Sequence, residues 1–309
     1  MKIGIDIGGT KCAVVLGDER GIAEKRRWET TTCEETVGRI TEEIRSFVGR
    51  FDAIGISCGG PLDAERGVIL SPPNLPGWDN VPIKENLKKE FSVPVSLCND
   101  ADACAMAEWR YGAGKGTQSM VFLTFGTGMG AGLIIGGRPY HGTCGNAGEI
   151  GHIRMEKDGP VGYRKAGSFE GFCSGAGLAK LGRAAAEEAL KKGTVPAYCP
   201  TENDLDAITA KTIADAAHAG DETALAVFRL CGEKLGAGLS FLIDILNPER
   251  IVIGSIFART EDLLRPSMER VIAEEALPDS AACCQIVPTA LGEKIGDYAA
   301  LAVAFGIDK

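Results

Sequence analysis

The chain has 309 residues, 45% of them hydrophobic and 24% charged, with a formal net charge of −9. That balance suits a soluble protein of about two domains with enough apolar residues for proper cores. No apolar run approaches the roughly 20 residues of a membrane span, no signal-peptide pattern opens the chain, and the acidity argues against nucleic acid as a partner.

In chain order, 2–7 (KIGIDI) alternates as a strand, Gly8-Gly9-Thr10 turns, 12–16 is a second strand and 22–30 a third. A helix is predicted over 34–49, where Ile40, Ile44 and Val48 recur at helical spacing. Residues 53–57 form a short buried strand that stops at Gly59-Gly60-Pro61, and 71–82, with four prolines, is a loop. A helix near 83–91 leads to strand 93–98 and then to a helix over 100–110 that starts directly after Asn99-Asp100. The glycine-rich 112–116 marks the boundary between an N-terminal lobe, 1–112, and a larger lobe, 113–293. Beyond it, 119–125 and 131–135 read as a hairpin, 142–177 as glycine-rich and irregular, and 177–191, 206–218, 221–246, 261–275 and 294–306 as helices. Strands at 250–253 and 285–288 interrupt them. The strand–glycine–strand opening near residue 3 returns near 120, which points to a duplicated α/β unit with a cleft between its halves.

Four motifs carry chemistry. In Asp6-Ile7-Gly8-Gly9-Thr10-Lys11, an Asp at a strand end suits hydrated Mg²⁺, and two glycines with Thr10 and Lys11 suit phosphate oxygens; a plain β-turn explains the same residues. Thr124 to Gly130 (TFGTGMG) is neither a dinucleotide fingerprint nor a Walker loop, since a strand follows it and no Lys-Ser/Thr closes it. It reads as a phosphate-cradling hairpin or simply a tight one. Asn99-Asp100, at the C-terminal end of a buried strand, is either a helix cap or the seat of a general base, Asp100. Glu149 and His152, in GEIGH, with Glu170 further on, offer the mixed donors and acceptors that a polyol requires, although a lone His is more often structural.

Taken together, DIGGTK at 6–11, NDADACAMAE at 99–108, TFGTGMGAG at 124–132 and GNAGEIGH at 145–152, with PNLPGW at 73–78, resemble the ROK family of sugar kinases and repressors over essentially residues 1–304. The resemblance implies an actin/hexokinase-like (ribonuclease H-like) duplicated α/β fold, two-lobed with a central cleft. The last helix, 294–309, would pack back on the first lobe. It implies ATP-dependent phosphorylation of a hexose, at O6, with Asp100 as catalytic base. Asn74, Asn99, Asp100, Glu149, His152 and Glu170 would hold the sugar. Gly8, Gly9, Thr10, Lys11, Gly126, Thr127, Gly128 and Gly254 would face the nucleotide, with Asp6 near Mg²⁺. Glucose is the default substrate; N-acetylmannosamine, N-acetylglucosamine, mannose, fructose and allose are the alternatives, and a non-catalytic sugar sensor is a further one. A cytoplasmic homodimer is expected.

Two departures stand out. Many members form a zinc site from a His and a CxCGxxGC run; aligned on Glu170, this chain has Val161, Tyr163 and Ser168 at the three Cys positions. Cys144 and Cys173 flank the segment but do not complete four N/S ligands, so no zinc is expected. The eleven cysteines then read as reduced thiols, His152 is free for sugar, and Tyr163 with Arg164 braces the loop by packing. Secondly, 247–256 (NPERIVIGSI) carries only Gly254 where the family has two or three glycines beside the adenosine, which leaves the nucleotide contact, and even the phosphoryl donor, open. Family repressors carry a helix-turn-helix ahead of the DxGGT strand. Here the strand starts at once, so the repressor reading is not expected.

Overall fold

The computed structural model describes residues 1–306 and divides into two compact units, Met1–Gln118 with Gly132–Ala147 and Ala290–Lys309, and Ser119–Ala131 with Gly148–Thr289. In the first unit, β1 (Lys2–Ile7), β2 (Lys11–Asp18), β3 (Gly21–Glu29), β4 (Ile54–Cys58) and a later β7 (Val95–Asn99) form one sheet in the order β3-β2-β1-β4-β7. The first pairings are antiparallel hairpins, while β1–β4 and β4–β7 are parallel. Helix α1 (Cys33–Arg45) follows β3; the small strands β5 (Leu62–Asp63) and β6 (Val68–Ile69) follow β4; α2 (Ile83–Phe91) and α3 (Asp100–Tyr111) flank β7. Isoleucines of β1 and β4 with Val14, Leu16, Ile40, Ile44, Phe47 and Trp78 make the core.

The predicted helix over 34–49 ends at Arg45. Val48, which recurs at helical spacing with Ile40 and Ile44, is 64% exposed, and Phe47 turns into the core instead. Past Ser46 the chain bends through shorter turn hydrogen bonds, such as Val48 N–H to the Arg45 carbonyl, which end the helical register. The hairpin β9 (Ala131–Ile135) and β10 (Arg138–Tyr140), which the sequence reading assigned to the second lobe, falls in the first unit from Gly132 onward. Gly132 lies so close to α3 that a Cβ there would come within 2.6 Å of the Ala101 carbonyl. The loop after β10 is held to the same helix by His141 Nδ1 at 2.6 Å from Asp102 Oδ2.

The last helix, α10 (Ile295–Phe305), lies on this sheet, and residues 307–309 of the expected 294–309 helix are outside the described ones. Its alanines are buried, and Gly4 and Gly55 leave room for its backbone: Cβ atoms there would sit 2.5 Å from Leu301 N and 2.2 Å from Ala304 N.

In the second unit, β8 (Met120–Leu123), β13 (Arg250–Ile253) and β14 (Gln285–Pro288) run parallel. The glycine-rich 142–177, expected to be irregular, holds a hairpin of β11 (Val161–Gly162) with β12 (Lys165–Ala166) and a one-turn helix α4 (Phe169–Phe172). Then come α5 (Gly175–Lys191), α6 (Ala210–His218), α7 (Glu222–Leu246), α8 (Ile256–Glu275) and α9 (Pro278–Cys283). The helix predicted over 206–218 is broken at Thr209, whose hydroxyl caps α6 by accepting from Thr212 N–H. The helix predicted over 261–275 starts earlier, at Ile256, and kinks at Thr260, which donates its hydroxyl to the Ile256 carbonyl. Among the described residues no helix is long and apolar enough to cross a membrane.

Replacing Gly55 with Ala would drive a methyl group into the α10 backbone, and the expected loss is about 3 kcal/mol. By contrast, Gly38 sits inside α1 with nothing within 4 Å of its would-be Cβ, so Gly38→Ala is expected to gain about 1 kcal/mol from helix propensity. Urea denaturation of both variants checks the pair.

Candidate functional site

In the first unit the turn after β1 is closed by Gly8 N–H to the Lys11 carbonyl at 3.1 Å, and Thr30 reaches across to the Gly8 carbonyl. Gly9 lies against the 71–82 loop, a Cβ there falling 2.5 Å from the Asn74 carbonyl. That loop is not loose: Leu75 and Trp78 are buried in the core, which leaves Asn74 exposed. Asn99 is the N-cap of α3, its Oδ1 accepting from Ala101 N–H at 2.9 Å, and Asp100, the first residue of the helix, accepts from the same N–H through its own Oδ1 at 2.9 Å. That bond orients the second carboxylate oxygen of Asp100. A Cβ at Gly59 would lie 3.7 Å from Asp100 Oδ2 and 3.6 Å from Asn74 Nδ2, and one at Gly60 3.4 Å from Asn99 Nδ2. Gly59-Gly60 is therefore the floor under Asn74, Asn99 and Asp100. From sequence this pair marks only the end of a strand; two glycines directly after a buried strand are the available signal.

Asp6, near the end of β1, is half-buried, and its pKa is pushed up from 3.8 to about 6. Burial is the main cause, followed by the charges of Asp297 and Asp100, with Arg27 and Lys25 opposing. Gly296 at the start of α10 abuts the Asp6 carboxylate, and the next residue, Asp297, is 7% exposed and ion-paired to Lys25. Neither Lys25 nor Asp297 was singled out from sequence, although an Asp within the apolar IGDYAALAVAF is unusual. A crowded, partly desolvated carboxylate fits Mg²⁺, which keeps most of its waters and takes one or two carboxylates with substrate phosphates. Among the described residues no group of three or more His, Cys, Asp or Glu is placed to hold a metal by itself. A cavity of about 800 Å³ in the same unit reaches Asn99, Asp102 and His141 but not Asp6, Asp100 or the Gly8–Lys11 turn.

In the second unit the loop from Thr124 to Gly130 is pinned at several points. Thr124 N–H donates to the Gly130 carbonyl, Gly126 N–H to that of Gly128, and the N-terminus of α5 donates Gly175 N–H to the Gly126 carbonyl at 2.7 Å. Its second residue, Phe125, has φ 24°, and the Phe125 carbonyl accepts from Ile256 N–H, next to Ser255 with φ 45°. Ser255 thus holds a backbone conformation that favours glycine. Gly254 is adjacent, a Cβ there lying 3.2 Å from the Thr124 carbonyl. Thr127 is exposed at the tip.

Glu170, on α4, accepts from Met129 N–H at 3.0 Å, and so ties this carboxylate to the glycine loop. The turn carrying Glu149 and His152 packs there too, since a Cβ on Gly151 would meet the Met129 carbonyl at 2.1 Å and the Glu170 Cβ at 3.4 Å. Glu149 and His152 are exposed and Glu170 half-buried. Of the residues at the zinc positions, Val161 and Tyr163 lie in the β11–β12 hairpin and Ser168 caps α4. Cys173 is buried with its Sγ 4.0 Å from that of Cys231, and Cys144 belongs to the other unit.

The sequence model of the ROK family matches residues 2–305. The chain is 32% identical to a glucokinase of Halalkalibacterium halodurans over 95% of this chain and 92% of that one. A xylose repressor of Caldicellulosiruptor bescii is 30% identical over 79% of this chain and 59% of its own length. Among solved structures, a ROK family glucokinase from Streptomyces griseus in complex with glucose and AMPPNP superimposes with a TM-score of 0.75 at 32% identity, covering 98% of this chain and 99% of that one.

The raised pKa of Asp6 fixes the sign of a pH effect. The folded state favours the neutral carboxyl, so the group stabilises the fold in acid and loses that contribution as pH rises from 3.8 through about 6. At neutral pH and without Mg²⁺, Asp6→Asn is expected to be more stable than the parent by up to about 3 kcal/mol, the gain vanishing below about pH 4. Denaturant titrations across that range measure it.

Proposed function

The chain belongs to the ROK family and is a sugar kinase, and we propose that it transfers the γ-phosphoryl group of ATP to O6 of a hexose, with glucose the default acceptor. The observation that carries this reading is the carboxylate of Asp100, held at the start of α3 by Ala101 N–H with one oxygen over the Gly59 floor beside Asn74. A general base must be oriented before its pKa matters, and that hydrogen bond does the orienting.

In the reaction, the substrate hydroxyl oxygen forms a bond to the γ-phosphorus while the bond from that phosphorus to the ADP oxygen breaks. Asp100 takes the hydroxyl proton. Asn74, Asn99, Glu149, His152 and Glu170 hold the sugar hydroxyls. The Gly8–Lys11 turn and the Gly126–Gly128 loop receive phosphate oxygens on backbone N–H groups, with Lys11 adding a charge, and Gly254 lies toward the nucleotide. Mg²⁺ beside Asp6, when bound with ATP, supplies neutralisation of phosphate charge. The chemistry asks for positioning rather than covalent help from the protein. Val161, Tyr163 and Ser168 at the zinc positions support a protein that needs no structural zinc, and the reading extends to a cytoplasmic homodimer, which light scattering tests.

A coupled ADP-release assay over glucose, mannose, fructose, allose, N-acetylglucosamine and N-acetylmannosamine is the direct test. Glucose is expected to give the highest kcat/KM, with phosphorylation at O6 seen by NMR of the product. Asp100→Asn is expected to lower kcat about 10³-fold with little change in sugar KM. Absence of sugar-stimulated ADP release, or an Asn variant as active as the parent, refutes the mechanism. Metal analysis of protein prepared without chelators is expected to find no stoichiometric zinc; one zinc per chain would overturn the reading of 161–168.

A further inference from the structure

The β11–β12 hairpin turns in two residues, Tyr163 and Arg164, with φ of 43° and 64°. Such a turn needs the left-handed region at both positions and is best served by Asn-Gly. Tyr and Arg hold it only at a conformational cost. Burial does not account for the Tyr, whose side chain is 77% exposed. What its ring meets is His152, edge to face, with centroids 5.8 Å apart and planes at 80°.

The hairpin is docked on the stretch that carries His152 and Glu170. Lys165 Nζ donates to the His152 carbonyl at 2.7 Å, Arg154 Nη1 to the Ala166 carbonyl at 2.6 Å, and Ser168 Oγ to the Gly162 carbonyl at 3.2 Å. Gly162 lies against the Gly171 amide, where a Cβ would come within 2.4 Å. The aromatic ring is thus delivered to the imidazole by a fixed support.

We propose that Tyr163 is a positioning residue that locks the His152 imidazole in the orientation in which it receives a sugar hydroxyl, the strained turn being retained because it aims the ring. The inference rests on the reading of His152 as a sugar contact. An imidazole has a broad, roughly two-fold χ2 preference, so an exposed His has freedom to lose on binding. Edge-to-face packing removes part of that freedom in advance.

The test uses the full chain and the panel sugar with the highest kcat/KM. Tyr163→Asn keeps the turn, since Asn tolerates the left-handed region, and removes the ring. It is expected to raise sugar KM about fivefold, the cost of ordering one side chain, with kcat within about twofold and Tm no lower than the parent's. Tyr163→Phe restores the parent KM. In a His152→Asn background Tyr163→Asn adds nothing, as coupling through His152 requires. With three histidines in the chain, the His152 ring proton is assignable by NMR, and it is expected to shift on Tyr163→Asn but not on Tyr163→Phe. A His152 resonance indifferent to Tyr163→Asn, or a sugar KM unchanged by Tyr163→Asn while His152→Asn raises it, overturns the inference alone. A KM unchanged by His152→Asn overturns the sugar-contact reading and this inference with it.

Discussion

The laying of α10 directly on the strands of the first sheet is the contact on which the rest of that unit depends. Gly4 in β1 and Gly55 in β4 have no side chain to hold the helix off, and alanines on the helix face complete the fit. Because the helix starts where β1 ends, Gly296 comes against the Asp6 carboxylate and Asp297 is buried beside it. A packing requirement therefore sets the electrostatics of a site residue. Burial and two neighbouring carboxylates make ionisation of Asp6 costlier than in water, and a cation drawn to that crowding would relieve the cost.

Elsewhere the same hydrogen bonds serve stability and chemistry. Helix capping and general-base catalysis stand as rival explanations of Asn99-Asp100 when only the sequence is considered. In the folded unit they are compatible, because Asn99 supplies the cap while Asp100 accepts from Ala101 N–H through one oxygen and has the other beside Gly59. Glu170 behaves similarly. Its bond to Met129 N–H ties α4 to the glycine loop and so fixes both. The loop is strained where it is anchored: Phe125 and Ser255, both at positive φ, are joined through the Ile256 amide.

Legibility from sequence follows the range of the interaction involved. Strands β1, β2, β4 and β7 and the start of α3 are readable because alternation, glycine turns and capping residues act over a few positions. The extent of α1 is not: Val48 has the right spacing, but the core takes Phe47. The stretch from 142 to 177 reads as irregular because β11, β12 and α4 are too short for any period to show. They exist through contacts such as Gly162 against Gly171 and Ser168 to the Gly162 carbonyl.

By itself the sequence determined the family, the two-fold repetition of a glycine-turn hairpin, and the residue types that chemistry on a polyol and a nucleotide needs. Those are local patterns, carried by residues within a few positions of one another. Only the tertiary structure decided that the hairpin after Gly132 joins the first unit, that Gly59 and Gly60 floor the Asp100 cluster, that Asp297 and Lys25 surround Asp6, and that Tyr163 faces His152. These are matters of close approach between segments distant in sequence, set by where a Cβ fits and where a charge is desolvated, and no local pattern encodes either.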